Sequence, residues 1–235
     1  MKLDGLKEAR GERPIKPFPV SEEEMCHRYE ALFTAAVNDA LRERRLVRQT
    51  LPHDIMPLRE SMKVAGPAFT IKGAKSLLIK DEMKERAEML EAIPLHAVVA
   101  WDTSGDNESA QWGEVMTMAA VKRGCRGAVV DGGVRDTDRV LSQEFSIFVK
   151  YRSSNGMLGR FRISGWQVPI RIGEVEIFPG DIVFGDIDGV IIVPRDIAYE
   201  VLLRSEEIAQ SEGALKKWVQ EGLSATEIVQ RGGFF

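Results

Sequence analysis

The sequence has little of the chemistry that builds zinc sites or disulfide frameworks. Its two cysteines, Cys26 and Cys125, lie far apart and show no ligand-like spacing. Its three histidines, His27, His53 and His96, form no pair along the chain. We therefore expect no zinc site, and we expect Cys125 to be a small packed side chain rather than a nucleophile.

Long apolar runs and an excess of positive charge are also missing. No apolar run approaches the ~20 residues that a membrane-spanning helix needs. The first eight residues mix acidic and basic side chains and have no apolar core, unlike a signal peptide. The formal net charge of −4 argues against a nucleic-acid-binding surface. We expect a cytoplasmic protein with no membrane or nucleic acid partner.

The pattern of apolar residues predicts a mixed α/β fold. Strands alternate with helices in the first half, and hairpins dominate residues 165–194. The glycine fingerprints of phosphate loops and dinucleotide-binding folds are absent. We predict a three-layer α/β domain over residues 21–235 that ends in helices. The polar, proline-rich residues 1–20 are predicted to form an N-terminal arm that packs on a neighbour.

Several elements can be placed from local signals. Ser21 and Glu24 form a capping-box pattern that opens a predicted helix through Leu41. A second amphipathic helix is predicted over residues 76–93, and a mobile loop over residues 151–165. Residues 196–230 are predicted to be helical with breaks near Gly213 and Gly222.

The most informative stretch is residues 127–136. Ala128 to Val130 are apolar and bounded by glycines, as in a buried strand. Gly132 and Gly133 suggest a turn or a close backbone approach. Arg135 and Asp136 then follow the strand's carboxyl end, where open α/β sheets place their ligands.

The preceding helix brings a second carboxylate to this edge. Residues 113–123 predict a helix of about three turns that rises roughly 15 Å, and the strand returns that distance in about five residues. Glu114, in the first helical turn, should therefore lie near Arg135 and Asp136. Two carboxylates, a guanidinium and free helix amides could hold a hard divalent cation and a carboxylated substrate. Spacing alone equally allows a structural salt bridge that caps the next helix.

The ordered set of motifs resembles a known family, the 4-hydroxy-4-methyl-2-oxoglutarate aldolases and the related regulator of ribonuclease activity A (RraA). The resemblance covers roughly residues 30–230. An acidic residue, a twenty-residue gap and Arg-Asp form its signature, which Glu114, Arg135 and Asp136 match. The other matching motifs are Gly113-Glu114, Arg123-Gly124, the stretch 127–136, Pro179-Gly180-Asp181 and residues 186–194.

This resemblance implies a β/β/α swivelling-domain fold, RraA-like, assembled as homotrimers or hexamers with the site between subunits. It also implies a class II (pyruvate) aldolase that cleaves a 4-hydroxy-2-oxo acid and uses Mg²⁺ or Mn²⁺. Oxaloacetate decarboxylation is an expected side activity because the same enolate forms. A non-enzymatic regulator that binds ribonuclease E is the alternative.

The roles of individual residues are also implied by the resemblance. Asp136 would be the direct metal ligand, while Glu114 and a neighbouring subunit's Glu212 would act through water. Arg135 would bind the keto oxygen and stabilise the enolate. Gly113 and the backbone amides of Val115 and Met116 would contact the substrate carboxylate. A metal and a guanidinium place positive charge where the enolate's negative charge develops.

Two further expectations concern the chemistry. No lysine lies within the motifs, which disfavours a Schiff-base aldolase. The aldol acceptor is not readable from one chain, and its selection is expected to depend on residues 151–165 and a neighbouring subunit.

Overall fold

The computed structural model describes residues 3–5 and 14–233 of the chain. The predicted arm therefore lies partly outside the described residues. The seven helices that we label are α1 Glu22–Glu30, α2 Thr34–Glu43, α3 Glu82–Glu91, α4 Glu114–Lys122, α5 Thr137–Leu141, α6 Ala198–Gln220 and α7 Ala225–Gln230. A 3-10 turn, Arg195–Ile197, precedes α6.

The strands are β1 Met56–Pro57, β2 Val64–Lys75, β3 Val98–Asp102, β4 Ala110–Trp112, β5 Gly127–Val134, β6 Ser146–Arg152, β7 Phe161–Trp166, β8 Ile170–Ile172, β9 Val175–Ile177, β10 Ile182–Asp186 and β11 Gly189–Val193. The main sheet has the order β1-β6-β5-β3-β2-β10-β11, with β4 on β5 and β7 on β2. Its centre, β2-β3-β5-β6, is parallel, and its flanks are antiparallel. An isolated antiparallel bridge pairs Thr50, which precedes β1, with Ile191 of β11.

The core is layered as the apolar pattern predicts. One face of the central strands packs against α3, α4 and α5 through residues such as Met89, Ala120 and Val140. The other face packs against the β8-β9 hairpin and β10-β11. Helices α1, α2 and α6 cover the outer side of β10-β11. The mixed α/β fold predicted from the sequence is thus confirmed.

Two predicted helices have different bounds in the structure. The helix expected from Ser21 to Leu41 is divided after Glu30, because the Asp186 carboxylate accepts hydrogen bonds from the Thr34 N–H and hydroxyl, both at 2.8 Å, and starts α2 there. The helix expected over residues 76–93 begins only at Glu82, after a left-handed residue, Asp81 (φ 62°).

Three expectations about loops and breaks were wrong in whole or in part. Residues 151–165 are not one loop, because β6 runs to Arg152 and β7 begins at Phe161. Gly132 and Gly133 lie within β5 rather than in a turn, and the alternative expectation, a close approach to the backbone, is the one observed. Helix α6 passes through Gly213, and the break falls at Gly222, whose φ of 87° ends the helix.

Candidate functional site

The site begins where β4 and β5 run side by side. Trp112 pairs with Val134, and the Arg135 N–H donates to the Trp112 carbonyl at 2.9 Å. Because Gly113 follows Trp112 directly, this pairing places the start of α4 against the end of β5. The short β4 was not predicted from the sequence, yet it sets this distance.

Gly113 allows the two segments to touch. A Cβ atom there would lie 3.0 Å from Arg135 Cγ and 3.0 Å from Asp136 Oδ2, so a larger residue would push the charged pair away. The predicted proximity of the helix start to Arg135 and Asp136 is therefore present in the structure. The roles of these residues in binding stay predictions.

Two ion pairs surround this contact. Arg135 Nε lies 3.2 Å from Asp136 Oδ2, and Arg139 Nη1 lies 3.2 Å from Glu114 Oε2. The side chains of Glu114 and Asp136 are about one-third exposed, at 31% and 33%. Both carboxylates are thus held by guanidinium groups while remaining open to a small ligand.

The alternative, a structural salt bridge that also caps the next helix, is only partly observed. Arg135 and Asp136 do pair, but Asp136, at the N-cap position of α5, makes no side-chain capping hydrogen bond. Its backbone is left-handed, with φ 53° and ψ 37°. The Asp136 carboxylate is therefore not used to cap the helix, and it faces Gly113 instead.

Arg139 was not predicted from the sequence to be a site residue. The hydrogen bond from Arg139 to Glu114 is the main cause that raises the pKa of Arg139 above its ordinary value. The Gln143 amide also donates to the Glu114 carbonyl at 3.4 Å. The sequence carried no signal for this contact, because Arg139 and Glu114 lie 25 residues apart on different helices.

The first turn of α4 supplies backbone donors. The first helical hydrogen bond runs from the Thr117 N–H to the Gly113 carbonyl at 3.0 Å, so the amides of Val115 and Met116 precede it. Gly113 carries no side chain to cap them. Val115 is 73% exposed, whereas Met116 is buried. This helix start can bind an anion next to Arg135.

The two carboxylates suit a hard cation that needs few protein ligands. Across the described part of the chain, no three His, Cys, Asp or Glu side chains are grouped to hold a metal. Mg²⁺ usually takes one or two protein carboxylates and completes its shell with water and substrate oxygens. Asp136 and Glu114 therefore fit Mg²⁺ or Mn²⁺, but not an all-protein cage.

Glu212 lies elsewhere within the single chain. It sits on α6, 3.6 Å from Lys216, and lines a groove of about 930 Å³ with Leu215 and Trp218. Its described ion pair does not involve Glu114 or Asp136. The predicted contribution of Glu212 to a neighbour's site stays a prediction.

Both thiols are buried, which confirms the expectation that Cys125 is a packed side chain. Cys125 is buried and its Sγ contacts the Gly127 carbonyl at 3.4 Å. Burial raises the pKa of Cys125 to about 11 and that of Cys26 to about 12. Both thiols are uncharged at neutral pH, so nucleophilic cysteine chemistry is disfavoured.

Among the described helices, none is long and apolar enough to cross a membrane.

Comparison with known proteins identifies relatives of this chain. The RraA-like family model, described as Aldolase/RraA, matches residues 34–192. A putative 4-hydroxy-4-methyl-2-oxoglutarate aldolase from Halalkalibacterium halodurans is 31% identical, over 74% of this chain and 80% of its own length. Protein DlpA from Legionella pneumophila is 30% identical over 72% of this chain, which spans only 27% of DlpA.

Solved structures share the architecture. A structure described among novel cellulases from microbes of the gut ecosystem is 49% identical, with a TM-score of 0.88 over 91% of this chain and 96% of that one. RraAS2 of Streptomyces coelicolor, described as an unusual member of the RNase ES inhibitor RraA family, is 23% identical. Its TM-score is 0.76, over 86% of this chain and 99% of that one, which shows a common fold.

Proposed function

This chain belongs to the RraA-like family, and from that premise we propose that it is a divalent-cation-dependent lyase of the pyruvate aldolase class. The proposed reaction cleaves a 4-hydroxy-2-oxo acid to pyruvate and a carbonyl product. Oxaloacetate decarboxylation is proposed as a second activity, since both reactions leave the pyruvate enolate. The putative aldolase names of relatives support the lyase class.

One observation carries the proposal: the contact of Gly113 with Arg135 and Asp136. It gathers a guanidinium, two carboxylates and a helix N-terminus at one edge of the sheet. A 2-oxo acid has a carboxylate beside a keto oxygen. The helix start and Arg135 offer donors for those two groups from adjacent directions.

Arg135 has the central role in the proposed reaction. Cleavage of the carbon–carbon bond leaves negative charge on the keto oxygen of the pyruvate half. A guanidinium already fixed near that oxygen stabilises the charge as it develops, without reorganisation. Its ion pair with Asp136 and the backbone hydrogen bond to Trp112 hold Arg135 in place before substrate arrives.

The carboxylates would hold the cation. Asp136 is the proposed direct ligand, and Glu114 is proposed to act through water; when bound, Mg²⁺ or Mn²⁺ would supply further positive charge near the keto oxygen. Glu114 Oε2, already oriented by Arg139, would also position the water that exchanges a proton with the product. A neighbouring subunit's Glu212 is proposed to complete the set in a homotrimer or hexamer.

Release of pyruvate tests the proposal. Purified protein is incubated with 4-hydroxy-4-methyl-2-oxoglutarate or oxaloacetate and Mg²⁺, and pyruvate is followed with a coupled dehydrogenase. We expect turnover that is lost with a chelator and restored by excess Mg²⁺ or Mn²⁺. If neither substrate, nor any of a panel of sugar-derived 4-hydroxy-2-oxo acids, yields pyruvate, the lyase proposal is wrong.

Two other outcomes have distinct readouts. Binding to ribonuclease E and inhibition of RNA cleavage, without pyruvate release, would support the regulator role that the family description also covers. Release of reducing sugar from soluble cellulose would support the activity for which the 49% identical structure is described. The three assays share one protein preparation, so an inactive sample is distinguishable from a different function.

A further inference from the structure

We propose that Gln111 is a positioning residue that fixes Arg135 relative to Glu114. The inference rests on the proposed function and adds a residue to it. Gln111 lies three residues before Glu114 on β4, and its side chain binds the backbone of β5 two residues before Arg135. One side chain therefore connects the two segments that carry the site.

The contact is buried and specific. Gln111 Oε1 accepts a hydrogen bond from the Gly133 N–H at 2.9 Å, and Gln111 is 1% exposed. The pairing of β5 with β6 shifts register between Val130 and Gly133. Gln111 thus satisfies a backbone donor at an irregular point of the sheet, where an unpaired buried N–H would be costly.

Asp106 sets the orientation of the Gln111 amide. Asp106 Oδ2 accepts from Gln111 Nε2 at 2.6 Å and from the Ser109 N–H at 3.1 Å. The Asp106 side chain is 1% exposed. Because a carboxylate only accepts, it takes the NH₂ end of Gln111 and turns the carbonyl end toward Gly133.

The two glycines of β5 are explained by this network. A Cβ atom at Gly132 would lie 2.3 Å from Gln111 Oε1, and one at Gly133 would lie 2.4 Å from the ring of Tyr151. The Tyr151 hydroxyl donates in turn to the Ser109 carbonyl at 2.9 Å. The glycine pair therefore lets the Gln111 and Tyr151 side chains pack closely against the β5 backbone. This packing fixes the end of β5.

Loss of the Gln111 contact should affect the reaction more than the fold. Without it, residues 133–136 lose one of the contacts that fix them relative to residues 113–114, while the backbone hydrogen bond from Arg135 to Trp112 remains. Both segments keep their own strand or helix. A displacement of about 1 Å can cost about a hundredfold in rate when it separates a charge-stabilising group from the reacting atom. Gln111 itself does not touch the proposed substrate.

The test compares three variants. Gln111→Leu removes both hydrogen bonds at similar volume, and Asp106→Asn keeps an oxygen that can accept from Gln111. Thr70→Val is the matched control, because Thr70 is fully buried and donates to the Val168 carbonyl at 2.6 Å, in another part of the sheet. Each variant is measured for Tm, kcat, KM, calorimetric Mn²⁺ affinity and hydrogen exchange of the Gly133 and Arg135 amides.

We expect Gln111→Leu to lower kcat by about a hundredfold, with a much smaller change in KM, weaker Mn²⁺ binding and faster exchange of both amides. Asp106→Asn should retain most of the wild-type kcat. Thr70→Val should lower Tm but leave kcat and the two amides unchanged. Equal loss of kcat in Gln111→Leu and Thr70→Val, or a protected Gly133 amide in Gln111→Leu, would overturn the positioning role.

Failure of the proposed function has a different signature. If the wild-type protein releases no pyruvate from any substrate, the lyase proposal fails. The positioning role is then judged on Mn²⁺ affinity and amide exchange alone, which need no turnover. Unchanged values of both in Gln111→Leu would reject it.

Discussion

Asp136 combines a strained backbone with a partly open carboxylate. Its φ of 53° lies in the left-handed region, which costs free energy for residues other than glycine, although aspartate tolerates it better than most. The surrounding contacts keep it there: Arg135 pairs with its side chain, and Gly113 leaves room for it. Such a conformation directs the carboxylate away from its own helix and toward α4.

The proposed ligand role of Asp136 predicts a loss of metal affinity. Asp136→Ala should weaken Mn²⁺ binding by at least about tenfold, the lower range seen when even a supporting group of a metal site is removed. Isothermal titration calorimetry measures this directly. Asp138→Ala, two residues further along in α5, removes the same negative charge and should bind Mn²⁺ with wild-type affinity. Equal affinity in the two variants would exclude Asp136 as a ligand.

Some of these site residues could be predicted from the sequence, and others could not. Glu114 was predictable because helix rise and strand rise return the chain to one edge. Arg139 and Gln111 were not, because their partners lie 25 and 22 residues away and depend on side-chain direction. Periodicity reports which face a residue occupies, but not which distant group it meets.

At the scale of elements, helix α3 is attached to the sheet by an ion pair. Glu85 forms a two-point contact with Arg162 on β7, including a 2.8 Å hydrogen bond from Arg162 Nε. The hydrogen bond from Arg162 is the main cause that lowers the pKa of Glu85. The contact thus links α3 to a strand that sequence reasoning had assigned to a loop.

This pair predicts a pH-dependent stability difference. A carboxyl group whose pKa is lower in the folded state stabilises the fold above its unfolded pKa, about 4.3, and that contribution is lost as pH falls through the lower folded value. Glu85→Gln should therefore lower Tm at pH 7 and have little effect near pH 3. Thermal unfolding by circular dichroism measures both. A Tm difference that grows on acidification would contradict the assignment.

The elements missed from the sequence share a physical cause. Strand β4 has three residues, and its position depends on pairing with β5 rather than on its own pattern. Strand β7 begins among polar residues and is held by β2. Helix α6 continues through Gly213 because one glycine costs only about 1 kcal/mol in a helix. Tertiary contacts outweigh local propensity in each case.

At the scale of the whole molecule, α4 presents an apolar stripe to solvent. Val115, Met118 and Val121 are 73%, 58% and 47% exposed, and their three-residue spacing places them along one side of the helix. Contiguous exposed apolar surface is typical of association sites. The stripe begins beside Glu114, which is where the proposed assembly places a subunit boundary.

Assembly can be tested through this stripe. Met118→Asp places a charge in the proposed interface and should shift the protein from trimer or hexamer toward monomer in sedimentation velocity. Ile187→Asp, in the exposed turn between β10 and β11, adds the same single negative charge outside α4 and should keep the wild-type mass. A wild-type monomer, or an unchanged mass for Met118→Asp, would contradict the proposed subunit boundary. Glu212 was assigned from family resemblance and depends on this assembly, which no single chain displays.

If Arg135 stabilises the charge formed on the keto oxygen, as we propose, kcat for pyruvate release must fall in Arg135→Ala. We predict a fall of about 10²- to 10³-fold, the usual cost of removing one donor to a developing oxyanion, with an unchanged circular dichroism spectrum. Arg160→Ala removes an exposed arginine whose Nη1 donates to the Gly156 carbonyl at 3.4 Å, and this variant should retain wild-type kcat. Wild-type turnover by a folded Arg135→Ala variant would contradict the account.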